Sequence, residues 1–187
     1  MTPVYLASSS PQRRRLLRSC GVRFRVVRIR YRERLRPGLS PAQNAMRLAL
    51  GKARAARGLK GLIIGADTLV VLGSEIIGKP SDERHARAML RSFSGRPQWI
   101  YTGVALRNTV NGNTIVFADR SKVTFKKMSD RQIEAYLKTG EYRGKAGAFG
   151  LQGKGAHLIA SVSGSKSNVI GLPLEKLKPK LRLMGAL

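Results

Sequence analysis

Two periodicities of hydrophobic and polar residues run along this chain, one typical of strands and one of helices. Residues 4–7 form a short apolar run. The Ser10-Pro11 step after it offers an N-cap followed by the proline that suits a first helical turn. Residues 62–72 are almost continuously apolar, as in a strand buried on both faces, but Asp67 and Thr68 interrupt the run. The pattern therefore predicts a strand that leads into a helix and, later in the chain, a buried central strand.

Caps and turn signals predict the remaining elements. Ser81 and Ser129 are candidate N-caps, and Gln132 completes a capping box with Ser129. Asn111-Gly112 between two apolar segments indicates a hairpin. The further elements predicted are a helix from Ser40-Pro41 to near Gly58, a helix after Ser81 closed by Gly95, strands 99–106 and 114–125, a helix from Ser129 to Leu137, a strand 157–162 and a helix 172–183 interrupted by Pro179. The fold class is α/β, a single domain over residues 1–187 with a mixed central sheet and helices on both faces.

Arginine alternates with apolar residues between positions 23 and 32, with one slip at Val27. This period of two predicts a half-buried strand with a bulge and an outer ladder of arginines. The first helix adds arginines to its opening turns, where cations oppose the positive end of the helix dipole unless an anion binds. Together they form a candidate nucleic-acid stripe, which consists of Arg14, Arg15, Arg18, Arg23, Arg25, Arg28, Arg30 and Arg32.

The high positive charge of the whole chain supports a role for these arginines in binding polyanions. The chain has 187 residues, with 36 Lys and Arg against 10 Asp and Glu, and a net charge of +26. Residues 1–57 alone hold fourteen arginines and one lysine against a single acid, Glu33. Such a field attracts polyanions such as RNA or nucleotides. The competing interpretation is a highly soluble, solvated face. A hydrophobic fraction of 42% excludes a disordered basic tail.

Several classes of protein are not supported by the sequence. No apolar run reaches the ~20 residues of a membrane span, and the amino terminus lacks the features of a signal peptide. We therefore expect a soluble, cytoplasmic protein with no membrane partner. The single cysteine, Cys20, excludes an internal disulfide and is expected to pack as a small core residue. His85 and His157 have no partner at metal-ligand spacing.

Four polar clusters fall at turns or strand ends, where α/β proteins bind ligands: residues 8–13, 65–68, 78–80 and 145–153. Serine hydroxyls and free amides at a helix start, beside an arginine, suit a phosphate group. Asp67 is the candidate catalytic residue, because a carboxylate can hold Mg²⁺ or take a proton from an attacking water. The alternatives are that Asp67 caps a turn and that Lys79 is a solvated turn residue.

In order and content, these clusters resemble the Maf family of nucleoside triphosphate pyrophosphatases. The segments that carry the resemblance are 6–13, Lys52-Ala53, 64–68, Gly78-Lys79-Pro80, Ser94-Gly95, Tyr101-Thr102-Gly103, 145–153 and Gly171-Leu172-Pro173. The resemblance implies a Maf/inosine-triphosphatase-like fold, elongated with a central cleft and frequently dimeric. It also implies a divalent metal, Mg²⁺ or Mn²⁺, and hydrolysis of a nucleotide to its monophosphate and pyrophosphate.

Residue roles follow from the same resemblance. Asp67 would be the general base, and Asp67 and Glu33 are the carboxylates left to hold metal. Thr68 and Gln152 match the branch of the family that takes dTTP and UTP. The expected substrate-binding residues are Ser8, Ser10, Gln12, Arg13, Lys52, Thr68, Lys79, Lys145 and Gln152.

The chain also departs from the family pattern. Gln12 stands where that branch usually has an arginine, and Arg32, Gly51 and Gly144 stand where the family tends to have acids. Two functions stay open: a pyrophosphatase for pyrimidine nucleotides, and a Maf-derived RNA-binding or ribosome-associated protein with reduced or lost catalysis. A third interpretation is a very basic enzyme whose positive charge is unrelated to any binding partner.

Overall fold

A seven-stranded mixed sheet runs through the protein, with helices on both faces, in a computed structural model that describes residues 2–187. The strands are β1 (Val4–Leu6), β2 (Arg25–Val26), β3 (Leu62–Leu72), β4 (Glu75–Ile77), β5 (Pro97–Asn108), β6 (Thr114–Phe125) and β7 (Ile159–Ser163). The helices are α1 (Pro11–Arg18), α2 (Pro41–Ala55), α3 (Glu83–Phe93), α4 (Asp130–Leu137), α5 (Lys166–Ile170) and α6 (Leu174–Leu183). Short 3-10 turns lie at Ala146–Ala148 and Lys154–Leu158. The predicted α/β class is confirmed.

The strand order is β2-β1-β3-β5-β6-β7, with β4 paired to β3. β1 runs parallel to β2 and β3, and the other pairs are antiparallel. The hairpin through Asn111-Gly112 joins β5 to β6 as predicted, and Gly112 has the positive φ of 79° that this turn requires. Among the described residues, no helix has the length and apolar content needed to cross a membrane.

One face of the sheet carries two separate hydrophobic cores. In the first, α1 and α6 pack leucines on the amino-terminal half of β3 and on Val104 and Leu106 of β5. In the second, α3 and α4 cover Val70, Ile100 and Phe125. The polar pair Thr68 and Thr102 lies between the two cores, because it occupies the same face of β3 and β5. This gap positions the site described below.

The opposite face is covered by α2, which lies unusually close to the strands. A Cβ added at Gly103 would lie 2.2 Å from the carbonyl carbon of Ala45, and one at Gly65 would lie 2.2 Å from the carbonyl oxygen of Ala49. Glycine at these two positions therefore sets the distance between α2 and the sheet. The capping box of Ser40 and Gln43 fixes where α2 begins.

The predicted strand over residues 23–32 was wrong in extent. Only Arg25–Val26 pair with β1, because β1 ends at Leu6 and offers no further backbone groups to bond. The exposure of the side chains does alternate as predicted. Ile29 and Tyr31 are partly buried, whereas the arginines between and around them are exposed. Cys20 is buried, as expected.

Two smaller predictions were also wrong, and two short elements were not predicted. Asp82, not Ser81, caps α3: its carboxylate accepts from the His85 amide at 2.7 Å, while the Ser81 hydroxyl donates to Asp82. α6 continues through Pro179, because buried leucines on both sides of the proline hold the two halves of the helix on one core. The short elements β4 and α5 were not predicted from the sequence.

Candidate active site

The candidate site opens at a gap in the sheet. β1 pairs with β3 only as far as Ile64, and β4 pairs with it only from Val70 onward. Between these points, no strand within residues 2–187 bonds to that edge of β3. Asp67 and Thr68 lie in this stretch, so the polar interruption seen in the sequence coincides with the interruption in strand pairing.

A cleft at this gap has two halves of different chemistry. One half is rich in cationic and hydroxyl groups; it is lined by Ser8, Ser9, Ser10, Gln12, Arg13, Ile29, Tyr31, Glu33, Lys52, Lys79, Arg143 and Lys145. The other half extends past Asp67 and Thr68 to apolar walls formed by Val70, Ile100, Phe149, Leu151, Val169 and Ile170. A ligand that joins an anionic chain to a flat, largely apolar group fits this division.

Lys52 of α2 joins the two acids of the cleft. Its Nζ lies 2.5 Å from Asp67 Oδ1 and 2.7 Å from Glu33 Oε1. Lys52 and Asp67 are buried, whereas Glu33 is about half exposed at the cleft surface. Both carboxylates therefore contact the same ammonium group. Glu33 and Asp67 are 34 positions apart in the sequence, with Lys52 between them, and only the fold shows that the three side chains are in contact.

The two acids respond differently to this environment. Burial raises the pKa of Asp67, and the attraction of Lys52 offsets this only in part, so the pKa lies above the ordinary value. Burial also raises the pKa of Glu33, but the hydrogen bond and charge of Lys52, helped by Lys79 and Arg13, outweigh it and leave the pKa lowered. Asp67 is thus the better proton acceptor of the two.

Arg13 connects the start of α1 to three other parts of the cleft. Its Nε donates to the Gly171 carbonyl at 2.9 Å, and its two terminal nitrogens donate to Thr68 Oγ1 at 3.0 Å and Ser8 Oγ at 3.3 Å. Burial lowers the pKa of Arg13, against the opposing effect of the nearby carboxylates. An arginine keeps its proton in spite of such a shift, so Arg13 is a fixed positive charge at the cleft.

The loop before α1 forms the predicted helix-start pocket. Ser10 caps α1 by accepting from the Arg13 amide at 3.4 Å, and its hydroxyl donates to Gln12 Oε1 at 3.1 Å. Ser8 Oγ accepts from the Ser10 amide at 3.3 Å. Hydroxyls and amides at the positive end of a helix suit an anion.

The structure places the other predicted substrate-binding residues on the cleft wall. Lys79 and Gln152 are exposed there, and Lys145 is partly buried, with its ammonium donating to the carbonyl of Glu141. Gly144, where an acid was expected from the family pattern, lines the same wall. All of the predicted substrate-binding residues therefore border one continuous cleft.

The nucleic-acid stripe lies outside this cleft. Arg15, Arg18, Arg23, Arg25, Arg28, Arg30 and Arg32 are exposed, and Arg14 is partly buried. Within residues 2–187, none of them forms an ion pair with an acid. Their charges are available to an external anion.

The sequence did not identify a second layer of polar residues behind the cleft. Thr102 Oγ1 lies 3.0 Å from Thr68 Oγ1 and donates to the Asn168 carbonyl at 2.9 Å. The side-chain amide nitrogen of Asn168 donates to Ser121 Oγ at 2.9 Å and to the Ile100 carbonyl at 3.1 Å. These contacts hold Thr68 in place. Thr102 lies in a motif noted from the sequence, but nothing in the sequence pointed to Asn168.

Known proteins resemble this chain over nearly its whole length. The family model described as Maf-like protein matches residues 3–184. A dTTP/UTP pyrophosphatase of Citrifermentans bemidjiense is 44% identical over 98% of this chain and 96% of its own length. One of Moorella thermoacetica is 44% identical over 99% of this chain and 96% of its own. The solved structure of the Staphylococcus aureus Ham1 protein shares 14% identity, covers 67% of this chain and 72% of its own, and has a TM-score of 0.48, a likeness too weak to bear on function.

Proposed function

Because this chain belongs to the Maf family, we propose that it is a nucleoside triphosphate pyrophosphatase that hydrolyses dTTP and UTP to the monophosphate and pyrophosphate. The observation that carries the proposal is the buried Asp67, held by Lys52 at the junction of a cationic and an apolar half-cleft. This is where the bond between the first two phosphates of a bound nucleotide would lie.

The two halves of the cleft suggest how the nucleotide binds. The triphosphate would lie among Arg13, Lys52, Lys79 and Lys145 and at the amino terminus of α1, where positive charge and amides attract it. The base and sugar would lie against the apolar walls around Phe149. This orientation brings the bond to be broken next to the Asp67 carboxylate.

Asp67 would act as the general base. Water would add to the α-phosphorus and give a proton to the Asp67 carboxylate, while the bond from that phosphorus to the bridging oxygen breaks and the bridging oxygen leaves with pyrophosphate. The products are the monophosphate and pyrophosphate. Positive charge from Arg13 and Lys79 would stabilise the anionic leaving group.

The donor set also fits a divalent cation. Mg²⁺ and Mn²⁺ are commonly held by one or two carboxylates together with substrate phosphates. Asp67 Oδ1 and Glu33 Oε1 both contact the Lys52 ammonium, so the two carboxylates are neighbours, and their other oxygens, Oδ2 and Oε2, would hold the cation together with the substrate phosphates. When bound, the cation supplies Lewis acidity toward the phosphate oxygens.

Thr68 and Gln152 support the pyrimidine preference. Thr68 is held rigidly by Arg13 and Thr102, and Gln152 presents an amide with both a donor and an acceptor at the cleft wall. The edge of uracil or thymine carries an N3–H donor between two carbonyl acceptors, a pattern that a side-chain amide can pair with and that adenine lacks. Such polar contacts discriminate strongly between bases, because a wrong base leaves them unsatisfied.

A nucleotide panel tests the proposal. We expect the purified protein, stripped of nucleic acid and supplied with Mg²⁺, to show higher kcat/KM for dTTP and UTP than for dATP, dGTP, ATP and GTP. A clear preference for purines would contradict the assignment of Thr68 and Gln152 and would direct attention to Gln12.

The exposed arginines favour RNA binding as a second function. The stripe presents seven exposed guanidiniums without acidic partners among the described residues, more than a single nucleotide needs. A phosphate backbone, whether of free RNA or of a ribosome, offers the matching row of anions. A homodimer and a cytoplasmic location stay predictions from the sequence.

A further inference from the structure

Residues 28–35 form a strap across the protein that has few backbone contacts. The Val27 amide donates to the Leu6 carbonyl at 2.9 Å. Beyond it, residues 28–35 form no hydrogen bond between backbone groups within the described part of the chain. Segments of this kind open locally at low free-energy cost. Side chains must therefore hold the strap in place.

The polar side-chain contacts of the strap lead to α2. Glu33 pairs with Lys52, and the Arg47 guanidinium donates to the Arg34 carbonyl. Just after the strap, Asn44 accepts from the Arg36 amide at 2.8 Å and donates to the Arg36 carbonyl at 3.2 Å.

Tyr31 provides the closest packing of the strap on α2. A Cβ at Gly51 would lie 2.2 Å from the Tyr31 hydroxyl oxygen, so the ring occupies the space that a larger residue would need. A side chain at position 51 would therefore push the Tyr31 ring out of its place on α2.

The two faces of the strap meet different surroundings. Ile29, Tyr31 and Glu33 point inward and line the cationic half of the cleft. Arg28, Arg30 and Arg32 point outward and are exposed. The same short segment thus forms a wall of the nucleotide site and carries the centre of the nucleic-acid stripe.

Charge repulsion opposes docking of the strap. Alternate residues of an extended chain lie ~6–7 Å apart, within the ~8 Å over which charges interact at physiological salt. The arginines of the outer face repel one another. Docking also brings these arginines toward α2, which carries Arg47 and Arg54 and no acidic residue, so the charges of the two elements oppose docking. A row of phosphates along that face would remove this repulsion and favour the docked strap.

We propose that RNA bound along the outer face of the strap tightens nucleotide binding in the cleft, by holding Ile29, Tyr31 and Glu33 in the cleft wall. This inference rests on the proposed nucleotide site. Two sites that favour the same conformation are coupled equally in both directions, so the nucleotide must tighten RNA binding by the same factor.

Equilibrium binding of two probes tests the coupling without requiring turnover. The probes are a dTTP analogue with an imido group between the α- and β-phosphates, and a 20-nucleotide oligoadenylate RNA that carries no pyrimidine. We expect saturating RNA to lower the Kd of the analogue by about fivefold or more, and saturating analogue to lower the Kd of the RNA by the same factor. An unchanged Kd would overturn the proposal, as would a raised Kd, which is the result of RNA competing for the cleft.

Two variants locate the coupling. In R25Q/R28Q/R30Q, RNA should bind weakly and should no longer change the Kd of the analogue. The matched control R84Q/R131Q/R182Q loses the same number of exposed arginines elsewhere and should keep the coupling. In Gly51→Ala, the new methyl group displaces Tyr31, so RNA affinity should persist while the coupling factor falls toward one. Coupling that survives in Gly51→Ala would contradict the role of the strap.

The outcomes separate this inference from the proposed function. Coupled binding without hydrolysis of dTTP would reject the enzyme assignment alone. Hydrolysis with uncoupled binding would reject the strap mechanism alone. Failure of the analogue to bind, with and without RNA, would reject both.

Discussion

Asp67 is buried beside Lys52, and because we propose it as the general base, its removal should affect turnover more than binding. Asp67→Asn cannot accept the proton, and we expect kcat to fall by ~10²–10⁴, while the Kd of a non-hydrolysable dTTP analogue changes little. Asp119→Asn, on β6 two strands away from β3 and outside the cleft, is the matched control and should retain parental kcat. Parental turnover in Asp67→Asn would remove this residue from the mechanism.

The raised pKa of Asp67 predicts the pH dependence of the reaction. The base must be deprotonated, so activity is lost as the pH falls through its pKa, and this loss should begin at a higher pH than an ordinary aspartate would give. In Lys52→Met the offsetting charge is absent, and the acid limb of the kcat/KM profile should move to still higher pH. An acid limb that stays in place would show that another group controls it.

At the scale of single residues, motifs in the sequence identified the cleft well. Asp67, Arg13 and Lys52 all border it, because each sits in a short motif whose local chemistry is recognisable. The support from Thr102 and Asn168 could not be predicted, since those contacts join positions 34 to 68 residues apart and depend on tertiary packing.

At the scale of elements, the contact between α2 and the sheet depends on Gly103. Gly103→Ala would press a methyl group into the Ala45 backbone, and we expect a loss of about 1–3 kcal/mol in the free energy of unfolding, measured by urea denaturation. Gly78→Ala is the control, because no atom lies within 4 Å of its Cβ position. Equal stability of the two variants would show that α2 can shift freely on the sheet.

The helix starts at Ser40 and Ser129 and the hairpin were predicted correctly, whereas the short strands β2 and β4 were not predicted as they stand in the structure. Ser40, Ser129 and Asn111-Gly112 act locally, so the sequence reveals the helix starts and the hairpin that they determine. The length of β2 depends instead on the length of its neighbour β1, which ends at Leu6. Alternation predicted which side chains face outward but not whether the backbone would be paired.

At the scale of the whole molecule, the polarised charge predicts strong salt dependence. If six to ten arginines contact phosphates, affinity for structured RNA should fall by ~10³–10⁵ between about 50 and 200 mM salt, with little dependence on sequence. R25Q/R28Q/R30Q should flatten that slope and leave the RNA-free kcat of the pyrophosphatase reaction near the parental value, because these arginines lie outside the cleft. If RNA affinity in this variant depends on salt as steeply as in the parent, the stripe does not bind RNA and is only a solvated face.

The central claim is that the cleft breaks the bond between the α- and β-phosphates of a pyrimidine nucleotide. The most direct measurement is the identity of the products formed from dTTP by the purified protein with Mg²⁺, separated by ion-exchange chromatography. The account predicts dTMP and pyrophosphate in equal amounts. Release of dTDP and inorganic phosphate, or recovery of intact dTTP, would contradict it.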